Sequence, residues 1–278
     1  MLKKRILVLS IFLAFTLNSF TQQIEVLTFN IRYNNPADSE NCWDNRKEAV
    51  VQLLNHYHPE IVGIQEGLYE QVTYLHDHLK NYDYIGAGRE DGKIKGEFAA
   101  IFYDTTMFEL VKQSTFWLSE TPDSVSVGWD AALERICTYG LFRHKNNGRY
   151  IMVFNTHFDH LGVVARTESA RLLVRAAAEL TRDQISVVLM GDFNCGPESE
   201  AFQIIKSKYP EASGISQTPL YGPAGTFNNF VPSNDVKERI DFVFVSKLRV
   251  LSVTHIDDKR NNNRVISDHY PVMVEIDF

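Results

Sequence analysis

Cysteine is scarce in this chain: Cys42, Cys137 and Cys195 are the only ones among 278 residues. None has a second Cys or a His at zinc-finger spacing, which argues against a structural zinc module. The odd count leaves at least one thiol unpaired. Cys195 follows a polar cassette and reads as a small packing residue in a turn, not as a nucleophile. Positive charge is also in short supply, with 28 Lys and Arg against 35 Asp and Glu and a net −7. Non-specific nucleic-acid binding rests on basic side chains neutralising phosphates, so the balance disfavours a processive nuclease. No repeat, low-complexity block or Pro/Ser linker interrupts residues 23–278, and a single domain is expected over 22–278.

A membrane-spanning run is missing as well. The N-terminal apolar stretch Ile6–Leu17 falls short of the roughly 20 residues that cross a bilayer, so no stable membrane anchor is expected. Lys3, Lys4 and Arg5 precede it, and Asn18, Ser19 and Thr21 follow. That is the order of a secretory signal. Residues 1–21 are expected to be removed on export, to a periplasmic or extracellular location, leaving a net charge of −10.

What is present is a large core in prospect: 44% of residues are hydrophobic and 23% charged, as in ordinary globular enzymes. Strands are expected at Ile24–Ile31, Glu60–Gln65, Tyr84–Arg89, Phe98–Tyr103, Phe108–Leu118, Cys137–His144, Tyr150–Asn155, Ile185–Met190, Ile240–Val245, Arg249–Ile256 and Tyr270–Ile276. Amphipathic periodicity predicts helices over Asp44–His58, Tyr69–Leu79 and Val163–Leu180, with a short one at Ser199–Lys206. Asn146-Asn147-Gly148 is a hairpin turn signal. Residues 210–236 read as a long functional loop. Helices between some strands and hairpins between others imply mixed sheets, layered as an α/β sandwich.

Six polar cassettes follow or lie beside these apolar runs: Thr28–Asn30, Gly63–Glu66, Asn155–His160, Gly191–Asn194, Arg239–Asp241 and Ser267–His269. Each ends a segment that should be buried with groups that bind hard cations or transfer protons. Asn30 and Glu66 offer oxygen ligands suited to Mg²⁺; taken singly they are an ordinary loop amide and a surface acid. His157 and Asp159 alternate onto one face of an extended segment. Asp192 and Asn194, two apart, can address one substrate as acid/base and hydrogen-bond donor, although an Asx-turn also fits. Asp268 and His269 are adjacent and point to opposite faces, so Asp241 becomes the candidate to orient His269. Phosphoester hydrolysis needs such a set, because charge gathers on the phosphoryl oxygens while a carboxylate handles the attacking water.

Taken in order, the cassettes resemble the endonuclease/exonuclease/phosphatase superfamily, the group related to pancreatic-type deoxyribonuclease and exonuclease III, over essentially all of residues 24–278. The resemblance implies a four-layer α/β sandwich of two packed mixed sheets flanked by helices. It implies metal-site roles for Asn30, Glu66 and Asp268, water activation by Asp192, and phosphate contact by Asn194. His157 and His269 match the histidines flanking the phosphate, with Asp241 behind His269. Glu97 matches an acid supporting His157, and Arg135 a phosphate-contacting arginine. Arg32 stands where the abasic-site branch carries an acid, which counts against that branch. Trp129, Phe227 and Phe230 lie in loops that would shape the pocket.

The expected activity is therefore that of a Mg²⁺-dependent (or Mn²⁺-dependent) phosphodiesterase or phosphatase, monomeric, acting on a small phosphoester. A secreted nuclease on nucleic acid is the alternative. A catalytically silent scaffold is a third reading, weakened because no acid or histidine of the set is missing.

Overall fold

A computed structural model describes residues 22–278 except Asn234; the expected export segment, 1–21, lies outside the described residues. The first half runs β1 (Gln23–Asn30), α1 (Lys47–Tyr57), β2 (Ile61–Gly67), α2 (Tyr69–His78), β3 (Tyr82–Ile85), β4 (Phe98–Asp104) and β5 (Phe108–Trp117). The second runs β6 (Ile136–His144), β7 (Tyr150–His157), α3 (Val163–Thr181), β8 (Ser186–Asp192), α4 (Glu200–Lys208), α5 (Ala212–Ile215), β9 (Asp241–Ser246), β10 (Arg249–His255) and β11 (Val272–Asp277).

Two mixed sheets result. One has strand order β10-β11-β1-β2-β4-β3 and the other β5-β6-β7-β8-β9. Each contains one parallel pair, β1 with β2 and β7 with β8, and each pair is joined through a helix, as a parallel connection requires. The remaining pairings are antiparallel.

The sheets pack face to face through Val26, Ile61 and Ile101 on one side and Val153, Val188 and Val243 on the other. The opposite face of the first sheet, with Leu27, Phe29 and Val62, is covered by Leu53 and Leu54 of α1 and Leu75 of α2. Phe154, Leu189 and Phe244 of the second sheet meet Leu173 of α3 and Phe202 of α4. The four layers are thus helix, sheet, sheet, helix. Central strands are covered on both faces, which is why β8 is buried at every position and reads as a continuous apolar run.

Some boundaries differ from those expected. The strand predicted to reach Arg89 stops at Ile85, because Gly86 takes φ 140°. The first helix begins at Lys47 after a 3-10 turn at Trp43–Asn45. Arg46, fully buried, spends its guanidinium on the carbonyls of Asn41, Ile31, Ile266 and Arg32 and holds that turn in place. Within the long 210–236 loop, Glu211 accepts from Ser213 N and Gly214 N and starts α5. All three cysteines are free, with Cys195 buried as a packing residue. No described helix is long and apolar enough to cross a membrane.

Candidate active site

The strand registers decide where the polar cassettes fall. In the second sheet His157 of β7 lies opposite Asp192 of β8, and Asp192 lies opposite Asp241 of β9. Residues directly opposite share a face, so one row across three strands presents an imidazole and two carboxylates toward the other sheet. There Asn30 ends β1, and its Nδ2 donates to Asp192 Oδ2 at 3.0 Å across the interface and to Glu66 Oε1 at 3.0 Å. Glu66 sits at φ 62°, in a bulge between β2 and β4. Such local strain concentrates at functional positions.

His269 arrives from the segment before β11. Its Nδ1 bonds Asp241 Oδ2 at 2.8 Å, leaving Nε2 3.7 Å from Asp192 Oδ2. The Phe227 ring lies 5.0 Å from the imidazole at 60°. His157 approaches Asp192 from the other side, with Nε2 3.5 Å from Oδ2. Asn194 donates from Nδ2 to His157 Nε2 at 3.0 Å and to Phe158 O at 2.9 Å. That bond makes Nε2 an acceptor, so the His157 proton belongs on Nδ1, which faces Glu97 Oε2 at 3.8 Å. Glu97 is held in turn by Arg89 Nη1 at 2.7 Å.

These environments push the ionisations apart. Burial, together with the nearby Asp241 charge, raises the Asp192 carboxyl to about 7, although His269 and the Asn30 amide pull the other way. Burial also lowers His157 well below the usual imidazole range, helped by Arg135 and Arg89. His269 goes upward. Burial opposes its charge, but Asp241 and Asp192 outweigh that. Glu97 is raised by burial and by Glu66. One imidazole is held neutral and the other cationic around a carboxylate that titrates near neutrality, a separation that marks functional sites.

Of the predicted residues, Asn30, Glu66, His157, Asp192, Asn194, Asp241, Asp268 and His269 are brought to one edge of the sandwich. Glu97 stands behind His157 as expected. Arg135 is adjacent, not central: Nε meets Asp159 Oδ2 at 3.2 Å and Nη2 meets His160 Nδ1 at 2.9 Å, while buried Nη1 has no partner. The expectation that Asp159 shares a face with His157 fails. Its carboxylate turns back to Leu161 N and Gly162 N ahead of α3, the behaviour of an Asx-turn. Trp129 lines a depression with Glu168 and Arg175 and does not reach the cluster, while Phe230 packs with Val236, Val265 and Tyr270. Arg89 was not singled out in the sequence. Its signal was the short Arg89-to-Glu97 hairpin, which brings its backbone opposite Glu97.

Residues 27–269 match the model of the Endonuclease/Exonuclease/phosphatase family. A family member of solved structure from Bacteroides thetaiotaomicron is 38% identical, with TM-score 0.89, over 92% of this chain and 95% of that one. A mannosyl-6-phosphatase from Bacteroides thetaiotaomicron is 39% identical, with TM-score 0.88, over 92% of this chain and 100% of that one. An uncharacterized protein of Acanthamoeba polyphaga mimivirus is 26% identical over 90% of this chain and 99% of its own length. The chain belongs to the endonuclease/exonuclease/phosphatase family, whose members are phosphoester hydrolases and generally use a divalent metal.

Two groups of residues come into question for that metal. Asp192, Asp241 and His269 bring one ligand atom each within 4.8 Å of one another. There the imidazole is cationic and lies between the two carboxylates, offsetting one of their charges. Glu66 and Asp268 form the other group, both 3.8 Å from Arg32. Burial raises the Asp268 carboxyl and the Glu66 charge adds to it, while His269, Arg32 and Arg46 pull it down. Hard oxygen donors of this kind fit Mg²⁺ or Mn²⁺. Asn30 borders this group, with Nδ2 donating to Glu66 and Asp192 and Oδ1 accepting from Arg32 N at 3.0 Å.

Proposed function

We propose that this chain is a divalent-metal-dependent phosphoester hydrolase that directs water in line at the phosphorus of a small phosphoester. The observation that carries the reading is the row His157, Asp192, Asp241 across three strands, closed by His269 and Asn194. Asp192, with its carboxyl near neutrality, takes the proton of the attacking water as the new P–O bond forms and the ester P–O bond breaks, the alcohol leaving with a proton from solvent; a base works best when its pKa lies near the working pH. His269, held cationic by Asp241, and the Asn194 amide stabilise the charge that gathers on the phosphoryl oxygens. His157 presents its Nε2 beside Asn194 and is kept in one tautomer by Glu97. Glu66 and Asp268 would hold Mg²⁺, with Mn²⁺ as a substitute, and the ion supplies a Lewis acid for a phosphoryl oxygen.

A phosphosugar is the favoured substrate, supported by the 39% identity to a mannosyl-6-phosphatase over 92% of this chain. The net charge of −7 supports the same choice over nucleic acid. The order of charges and apolar residues in 1–21 supports export, which N-terminal sequencing of the secreted protein would check.

The test is a panel of aryl monoester, aryl diester, hexose phosphates and single-stranded nucleic acid, with and without chelator. We expect Mg²⁺-dependent monoester hydrolysis, and a fall of about 10²–10⁴-fold in Asp192→Asn, the range for loss of an acid/base group. Full activity in Asp192→Asn and His269→Ala would defeat the assignment. Cleavage of nucleic acid with a steep salt dependence would favour the nuclease alternative.

A further inference from the structure

Beside the cluster, a groove of about 410 Å³ opens from Asn194, within the roughly 300–1,000 Å³ of small-molecule sites. One wall is the turn after β8, with Cys195, Gly196 and Glu198; the other is the 224–240 loop, with Ala224, Lys237 and Glu238. Because Asn194 Nδ2 bonds His157 Nε2 at 3.0 Å, the groove begins one side chain from the candidate catalytic imidazole. A larger depression of about 500 Å³, between Gln52 of α1 and Asn262, shares no residue with the cluster.

The loop wall is tied to the site. Thr226 N donates to Glu238 O at 2.7 Å and Gly225 N to Val236 O at 2.7 Å, pairing the two arms of the loop. A side chain at Gly225 would meet Lys237 C at 2.6 Å, so the arms approach as closely as glycine allows. Thr226 Oγ1 accepts from Asp241 N at 3.2 Å, and Asn228 N donates to Asp268 O at 2.7 Å. The wall and the carboxylates are therefore set by the same backbone.

The lining chemistry is one-sided. No aromatic ring lines the groove, so it offers no platform for a base. Arg239 also lines the groove; its Nη2 is engaged by Glu211 and Ser213, while its buried Nε has no hydrogen-bond partner. The Glu198 carboxylate, lying back over Gly196, and the Glu238 carboxylate make no hydrogen bond or ion pair among the described residues. Lys237 is exposed and meets Asp235 Nζ to Oδ2 at 3.2 Å. Two free carboxylate acceptors and one exposed ammonium donor suit a molecule rich in hydroxyls, since each hydroxyl both donates and accepts.

We propose that this groove receives the polyhydroxylated part of the substrate, with Glu198, Glu238 and Lys237 as its specificity-determining residues. The proposal rests on the hydrolase reading above and adds to it where the alcohol half is read. It also predicts poor use of nucleotides, whose bases would find no ring to stack on.

The experiment compares wild type with Glu198→Ala and Lys237→Ala on mannose 6-phosphate, 4-nitrophenyl phosphate and a nucleoside 5′-monophosphate. The expected result is a fall of about tenfold in the ratio of kcat/KM for mannose 6-phosphate over that for the aryl phosphate, carried mainly by KM. The nucleotide is expected to be the poorest of the three. An unchanged ratio with aryl phosphate still hydrolysed overturns the groove and leaves the hydrolase reading standing. Calorimetric titration of mannose 6-phosphate into chelated wild type and Glu198→Ala reads the groove without turnover. Weaker binding in the variant supports it even if no phosphoester is cleaved, and equal binding overturns it.

Discussion

Gln65 Nε2 donates to Asn155 Oδ1 at 2.6 Å, joining the two sheets through a buried side-chain pair. Asn155 Nδ2 in turn reaches Ile64 O and Ala100 O of the first sheet, both at 2.8 Å. Asn155→Ala removes three buried hydrogen bonds, while Gln65 Nε2 keeps Thr28 Oγ1 at 2.9 Å and Gly63 O at 3.3 Å, and each buried bond lost costs about 1 kcal/mol. We expect a loss on the order of 3 kcal/mol, read as a lower urea midpoint with an unchanged m-value.

Gly191 precedes Asp192 at φ 151°, and a side chain there would meet Thr156 O at 2.0 Å. Gly191→Ala must push β7 away from β8 at the position of His157 and Asp192. The expected cost is on the order of 3 kcal/mol, with catalytic loss beyond the fraction unfolded. Paired denaturation and kinetic measurements at one temperature separate the two.

His255 is buried, donates Nδ1–H to Pro223 O at 2.7 Å, and leaves Nε2 without a partner. Burial lowers its pKa to about 4, reinforced by Arg239 and opposed by Asp241 and Glu211. The unfolded imidazole binds its proton near 6.5, so between pH 6.5 and 4 the unfolded chain holds more protons than the folded one. Stability from this residue is therefore complete above pH 6.5 and falls by up to about 3 kcal/mol as pH drops to 4. His255→Gln should flatten that slope in melts taken across the window.

Arg89 and Glu97 form a half-buried pair at 2.7 Å behind His157. Arg89→Met strands the carboxylate, and breaking a buried pair costs about 3–5 kcal/mol; because Glu97 is partly exposed, the lower end is expected. Glu97→Gln in the same chain should recover part of the loss, as a double-mutant cycle would show. If Glu97 fixes the His157 tautomer, the single Glu97→Gln change also lowers kcat while leaving KM near its wild-type value.

Much of this arrangement was legible in the sequence because a polar residue at the end of a buried strand needs a partner. Asn30, His157, Asp192, Asp241 and His269 were found that way. The same rule was silent on what kind of partner each has. Gln65 and Asn155 sit in the same cassettes as Glu66 and His157, yet they stitch sheet to sheet. Asp159 reads like a site acid and instead caps the turn before α3. These outcomes depend on contacts between residues 90 apart in sequence for Gln65 and Asn155, which local periodicity does not encode. The Arg89 pairing and the groove beside Asn194 depend on loops, whose path follows from tertiary packing. Oxygen donors near Asn30 were legible; that its amide would face them nitrogen-first was not, since that depends on the backbone turn at Arg32.

The Asn30–Asp192 bond spans the gap between the sheets, so the carboxylate proposed as the base is oriented from one half of the sandwich and anchored in the other. Neither half alone carries a working centre. Loosening along that seam would misalign the chemistry before any helix melts, and enzymatic output thus becomes a gauge of how firmly the halves clasp.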